Sequence, residues 1–249
     1  MHQRFHHNGL VVRPDAGITL PKDIEGKKVG VRAYSVTGGV WTRGVLQNEY
    51  GVDPAKVNWI VDDEEHVEQL RLPPNVQHAP EGKSLASMMR SGEIQAAFLG
   101  NAGIGREGPP SETWGVATEP PAAYRELIAD PAADAAAWFA RTGVLPTHGT
   151  VVIRDEVVAA NPDVPRILFD ALVESKARYL DRLRSGDALE PEDAKLLKLM
   201  DVVGPDPIPY GISANWTTME MLVTYAVQQK LLSAPISVDE LFFDFDRTA

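Results

Sequence analysis

Short apolar runs separated by polar turns fill the first half of this chain, and longer helical stretches fill the second. Asn8 to Val12 reads as a buried strand, followed by a turn from Pro14 to Gly17 and a single helical turn at Pro21 to Ile24. Lys28 to Val31 predicts a second strand. It breaks into Arg32-Ala33-Tyr34-Ser35, and a helix follows from Thr37 to Tyr50 with Gly51 as its stop. A short helical turn at Asp53-Pro54 leads into the strand Val57 to Val61, then an acidic loop from Asp62 to Glu65. Prolines at 73, 74 and 80 bracket an irregular segment around Val76. Ser84 caps a helix through Arg90 that Gly92 ends, and Ala96 to Gly100 is another buried strand.

This alternation of strand and helix predicts an α/β layer with a mainly parallel sheet. Gly100 to Pro121, rich in Gly and Pro, reads as a long loop of the functional kind. Helices are expected at Ala122 to Asp130 and Ala132 to Thr142, and a strand at Thr150 to Ile153. Further helices are expected at Asp155 to Asn161, Val164 to Arg184, Pro191 to Val202 and Ser213 to Leu231. The first strand and this helical last third have few strands to pack against, the pattern of a fold whose opening units are missing.

Composition narrows the chemistry. The 249 residues are 44% hydrophobic and 24% charged, ordinary for a globular protein with a sizeable core. A net charge of −11 argues against binding bare nucleic acid or an anionic membrane, while leaving room for a local basic pocket. With no cysteine, disulfides, Cys-ligated metal and Cys nucleophiles are excluded. No apolar run is long enough to span a membrane, and the opening residues lack the basic and apolar regions of a signal peptide.

The run from Lys27 to Val52 carries the most chemistry. A strand passing through a polar turn into a helix N-terminus gathers free backbone N–H groups, which the helix dipole makes attractive to anions. Arg32 adds a cation, Tyr34, Ser35 and Thr37 add hydroxyls, and Trp41 adds an indole, a set suited to an aromatic carboxylate. Plainer roles compete: a solvated Arg32, an ordinary cap at Ser35 or Thr37, and a Trp41 packed in the core. Arg43 reads as a structural ion-pair partner. The run Asp62-Asp63-Glu64-Glu65-His66 lacks helical ligand spacing and reads as a solvated loop, and the glycines from Gly100 to Gly105 lack the Lys-Ser/Thr of a phosphate loop. No Gly-x-Ser-x-Gly motif and no carboxylate dyad at helical spacing supports a hydrolase.

From Val29 to Val52 the sequence V-G-V-R-A-Y-S-V-T-G-G-V-W-T-R-G-V-L-Q-N-E-Y-G-V resembles the 4,5-dihydroxyphthalate decarboxylase family, through Tyr34, Thr37, Trp41, Arg43-Gly44 and Glu49-Tyr50-Gly51-Val52. Phe5 and His7 match a crossover motif upstream, where His6 replaces the family's Arg. Leu145-Pro146 to Arg154, Glu156 to Pro162, Pro209-Tyr210-Gly211 with Asn215, and Val238 to Phe242 extend the resemblance along nearly the whole chain.

The resemblance implies a type 2 periplasmic-binding-protein-like fold: two α/β lobes, two crossovers and an interlobe cleft. Residues 1–16 would then be the first crossover and a remnant of an incomplete lobe one. Residues 17–147 would be the second lobe, and 148–249 the return crossover with C-terminal helices packing on lobe one. Roughly 60–90 residues of lobe one would be absent, through a misplaced start, a fragment, or a partner chain supplying them.

The function implied is non-oxidative decarboxylation of a hydroxylated aromatic dicarboxylic acid, 4,5-dihydroxyphthalate giving protocatechuate and CO2, in the cytoplasm. The alternative is a periplasmic substrate-binding protein of an ABC importer for an aromatic acid. His7 and His148 would be catalytic, His being a suitable general acid near neutral pH. Arg32, Tyr34, Ser35, Thr37, Trp41 and Tyr210 would bind substrate. For His7 the competing role is a surface histidine near the chain end, for His148 a buried hydrogen-bonded histidine, and for Tyr210 a turn residue. No metal or cofactor is implied. The partner is a small aromatic carboxylate, with no nucleic acid or membrane, and self-association is left open.

Overall fold

The computed structural model describes residues 3–67, 69–105, 124–186 and 190–243. Its contacts divide the chain into two compact units. One comprises Phe5–Ala135 with Met221–Pro235; the other contains Ala136–Glu220 with both chain ends.

The first unit is built on a six-stranded sheet. Its strands are β1 (Leu10–Val12), β2 (Lys28–Gly30), β3 (Asn58–Val61), β4 (Val76–His78), β5 (Ala96–Phe98) and β6 (Arg125–Glu126), in the order β4-β3-β2-β5-β1-β6. The four strands from β4 to β5 run parallel, and β1 and β6 add antiparallel pairs at one side. The mainly parallel sheet expected from the alternation of elements is therefore present, within a mixed α/β fold.

Side chains alternate across a strand, so each strand feeds two cores. Leu10, Val12, Trp59, Val61, Ala96 and Phe98 enter one cluster, while Val11, Ile60 and Ala97 enter the other. The first cluster is covered by residues of α1 (Thr37–Tyr50), the second by Leu85, Met88 and Met89 of α2 (Leu85–Ser91). Gly51 ends α1 in the left-handed region at φ 64°, and Ser84 caps α2 through the Ser87 amide, as their positions in the sequence suggest. Asp53 caps its short turn through the amide of Ala55.

Inside α1 a glycine is required for space. A Cβ on Gly44 would stand 1.9 Å from the ring of Tyr225, which belongs to the same unit. That ring also meets Trp41 edge-on at 5.7 Å between centroids, and Trp41 is fully buried.

The other unit is helical: the latter part of α3 (Pro131–Thr142), then α4 (Asp155–Ala160), α5 (Val164–Ser185), α6 (Pro191–Val203), the first part of α7 (Ile212–Gln228) and α8 (Val238–Leu241). Asn215 ties its irregular segments together. Its side chain accepts from Gln3 Nε2 at 2.7 Å and donates to the carbonyls of Pro209 at 2.9 Å and Gly211 at 2.8 Å. Lys176 of α5 pairs with Asp206 at 2.8 Å and stands 4.6 Å from the Tyr210 ring centroid.

Three expectations are corrected. The segment around Val76 is a strand, because its backbone pairs with β3 despite the surrounding prolines. The helix expected at Ala122 to Asp130 is not formed over its described part: Arg125 and Glu126 extend to pair with β1. Residues 122 and 123, like most of the loop expected up to Pro121, lie outside the described residues. Thr150 to Ile153 forms no strand, although its residues are β-branched; Val151 and Val152 are 56% and 86% exposed.

Candidate functional site

In open α/β sheets, ligands bind beyond the carboxyl ends of the strands where the strand order reverses. Here the chain runs from β2 to β3 and β4 on one side, then returns to β5 on the other side of β2. The reversal therefore lies between β2 and β5, and the groups that follow these two strands meet there. The Arg32 amide donates to the Ala102 carbonyl at 2.7 Å, closing β2's exit against the 3-10 turn Gly100–Ala102 that follows β5.

From that exit the chain turns through Ala33–Val36 into α1. Val36, not Ser35 or Thr37, is the N-cap, and it makes no side-chain cap. The first amides of α1 thus have no partner within the helix or from a capping side chain. Ahead of them, Tyr34 N–H at 2.6 Å, Ser35 N–H at 2.8 Å and the Ser35 hydroxyl at 2.5 Å all donate to the carboxylate of Glu65. In the turn where an anion is expected, these amides and the hydroxyl are thus taken by a carboxylate of the protein itself.

Much of the acidic loop is engaged as well, although Glu64 and His66 are exposed as its composition suggests. Arg32 accepts the amides of Asp62 and Asp63 on its carbonyl, at 3.2 and 3.0 Å. Its guanidinium reaches His66 Nε2 at 3.0 Å and Asp63 at 3.8 Å. Asp62 accepts the Leu85 amide at the start of α2.

Arg43 lies beneath the turn, fully buried. Its Nε donates to Gln229 Oε1 at 2.7 Å and its Nη2 to the Tyr34 carbonyl. The guanidinium stacks 3.9 Å from the Tyr34 ring centroid and stands 5.3 Å from that of Trp59. No carboxylate among the described residues forms an ion pair with it, so the expectation of a structural ion pair gives way to π faces and neutral acceptors. Desolvation accordingly lowers its pKa to about 10, against the opposing pull of Tyr34 and Glu65. Burial raises the pKa of Tyr34, whose hydroxyl faces the Gln229 carbonyl at 3.4 Å.

The two adjacent histidines diverge. His6 is buried, its carbonyl accepts the Thr42 hydroxyl at 2.9 Å, and its ring lies 3.5 Å from where a Cβ on Gly38 would stand. It is thus the imidazole beside the opening turn of α1. His7 is buried against Phe5, with ring centroids 6.3 Å apart. Burial lowers its pKa to about 4, although the charge of Asp134, which accepts the Tyr50 hydroxyl, acts the other way.

One unit therefore brings together Arg32, Ser35 and Thr37 at its surface, with Tyr34 and Trp41 buried behind them and His6 and His7 nearby. His148 and Tyr210 belong to the other unit: His148 is exposed, and Tyr210 lines a largely apolar groove of about 940 Å3. Sequence reasoning missed Glu65. A carboxylate that reaches the Tyr34–Ser35 turn from another strand's exit carries no periodic signal. Strand alternation would set His6 and His7 on opposite faces, but both lie ahead of β1 and outside any strand.

No protein-family model matches the chain. It is similar to a 4,5-dihydroxyphthalate decarboxylase of Comamonas testosteroni, 30% identical over 96% of this chain and 72% of that protein. It is also similar to a 4,5-dihydroxyphthalate decarboxylase of Pseudomonas putida, 32% identical over 54% of this chain and 51% of that one. On the breadth of the first match, this chain belongs to the 4,5-dihydroxyphthalate decarboxylase family.

Proposed function

We propose that this protein is a carboxy-lyase that removes CO2 without oxidation from a hydroxylated aromatic dicarboxylic acid, 4,5-dihydroxyphthalate or a close analogue, giving protocatechuate or its counterpart. The observation that carries this reading is the match across 96% of the chain to a protein of that name. The fold proposed with it is the two-lobe arrangement of the type 2 periplasmic binding proteins.

The chemistry sets what the site must do. The hydroxyl para to the departing carboxylate pushes electron density to the ring carbon that bears it. A proton adds to that carbon, the C–CO2 bond breaks, and its electron pair returns to the ring. One proton is taken up and one CO2 leaves. The protein must hold the retained carboxylate, exclude water and deliver the proton.

The Tyr34–Ser35 turn, with Thr37, the opening amides of α1 and Arg32 beside it, is the proposed carboxylate grip, with the Tyr34 ring and Trp41 as its backing. The proton is assigned to the His6–His7 pair. A buried His7 with a pKa of about 4 is neutral at pH 7. A dianionic substrate close by raises the pKa of an imidazole, so the pair would acquire its proton together with the substrate.

The test is to incubate the protein with 4,5-dihydroxyphthalate and follow CO2 and protocatechuate together. Stoichiometric appearance of both is expected. Saturable binding with no CO2 would reject catalysis and select a ligand-binding role.

A further inference from the structure

We propose that the loop Asp62–His66 is an internal mimic of an aromatic dicarboxylate, a strap that occupies the ligand's carboxylate positions and is displaced when the ligand binds. The inference rests on the carboxy-lyase reading for the class of ligand.

The loop offers two carboxylates, from Asp63 and Glu65. Glu65 takes both amides and the hydroxyl of the Tyr34–Ser35 turn. Asp63 lies 3.8 Å from the Arg32 guanidinium. Two neighbouring carboxylates, one on a pair of amides and one on a guanidinium, are what a vicinal aromatic dicarboxylate presents to the same groups. The strap itself has no regular secondary structure, and Glu64 and His66 are exposed. Its hold on the turn is polar, and polar contacts at a partly exposed site are readily exchanged for equivalent ones from a ligand.

An independent observation shows that this place is built for negative charge. Arg43 is fully buried below the turn, and its Nη1 makes no hydrogen bond. That nitrogen lies 3.0 Å from where a Cβ on Gly39 would stand, under the first turn of α1. An unpaired guanidinium is costly to bury unless an anion stands close by. Glu65, held on the amide of the same Tyr34 whose carbonyl accepts from Arg43, is a carboxylate whose charge acts on that guanidinium. A ligand carboxylate that takes the place of Glu65 restores that charge, which couples opening of the strap to arrival of the ligand. The positive end of α1 adds to the same demand.

Phthalate, which has both carboxylates but no hydroxyl to drive decarboxylation, is the probe. Calorimetry should find that Glu65→Gln binds phthalate about five- to tenfold more tightly than the wild type, because the internal competitor is weakened. Unchanged or weaker binding by a folded Glu65→Gln protein overturns the proposal. A second measurement needs no variant: Glu-specific protease is applied to the wild type with and without phthalate. Release of the strap predicts several-fold faster cleavage after Glu64 and Glu65 when phthalate is bound. Protection or no change overturns the strap. Turnover of 4,5-dihydroxyphthalate is read separately, so CO2 release without either phthalate effect rejects the strap and leaves the carboxy-lyase reading intact.

Discussion

Around α1 the protein buries its polar groups, whereas between Thr150 and Ile153 it exposes its apolar ones. In the first region Arg43 and Gln229 are almost wholly out of water, yet each has partners: Arg43 bonds Gln229 and the Tyr34 carbonyl, and Gln229 donates to the Val40 carbonyl at 2.8 Å. In the second, Val151 and Val152 line the apolar groove yet stand largely in solvent, and no strand among the described residues pairs with them. Burial there would bring no polar cost, but among the described residues little covers those side chains. The contrast teaches that residue type sets only the cost of burial. Whether a residue is buried depends on the partners the fold brings to it.

The sharpest way to break the contrast is to remove Arg43. Arg43→Ala leaves Gln229 Oε1 and the Tyr34 carbonyl without their donor and opens a cavity between Tyr34 and Trp59. A loss of about 3 kcal/mol in unfolding free energy is expected, measured by urea denaturation. A loss below about 1 kcal/mol would mean the stacked guanidinium contributes little to the unit.

His7 gives a smaller effect that depends on pH. Its pKa is near 6.5 when unfolded and about 4 when folded, so between those values the unfolded chain binds more protons. Stability is therefore full above about pH 6.5, falls as the pH drops toward 4, and levels off below that. Between pH 7 and pH 5 the His7 contribution amounts to about 2 kcal/mol. His7→Gln should lose that share of the pH dependence; urea midpoints with the same slope as wild type would count against a neutral, buried His7. The smallest effect belongs to the exposed region. Val152→Thr should change unfolding free energy by less than about 0.5 kcal/mol, and a larger loss would show that Val152 is covered in solution.

Legibility followed the same division. The limits of α1, the cap at Ser84, the short turn beginning at Asp53-Pro54 and the stop at Gly51 were readable because each depends on residues within a turn of one another. The strand at Arg125–Glu126 was not, since two polar residues become a strand only by pairing with β1. Thr150–Ile153 fails in the opposite way: it has the propensity and lacks the neighbour. At the candidate site, Arg32, Ser35 and Thr37 could be gathered from one contiguous motif. Glu65 arrives from the exit of β3, and Gln229 from far along the chain, so both depend on the assembled sheet. Arg43 was misread because a charged residue suggests a charged partner, whereas here two aromatic faces and two neutral oxygens surround it.

Gly44 and Tyr225 carry a consequence for how such a sequence can change over time. The ring of Tyr225 fills the space that any side chain at position 44 would need. An ancestor with a residue other than glycine there had to give it up before an aromatic ring could settle at position 225. A descendant that regains a side chain must first surrender the ring. The two steps can occur in only one order in each direction, so history at this contact works as a turnstile.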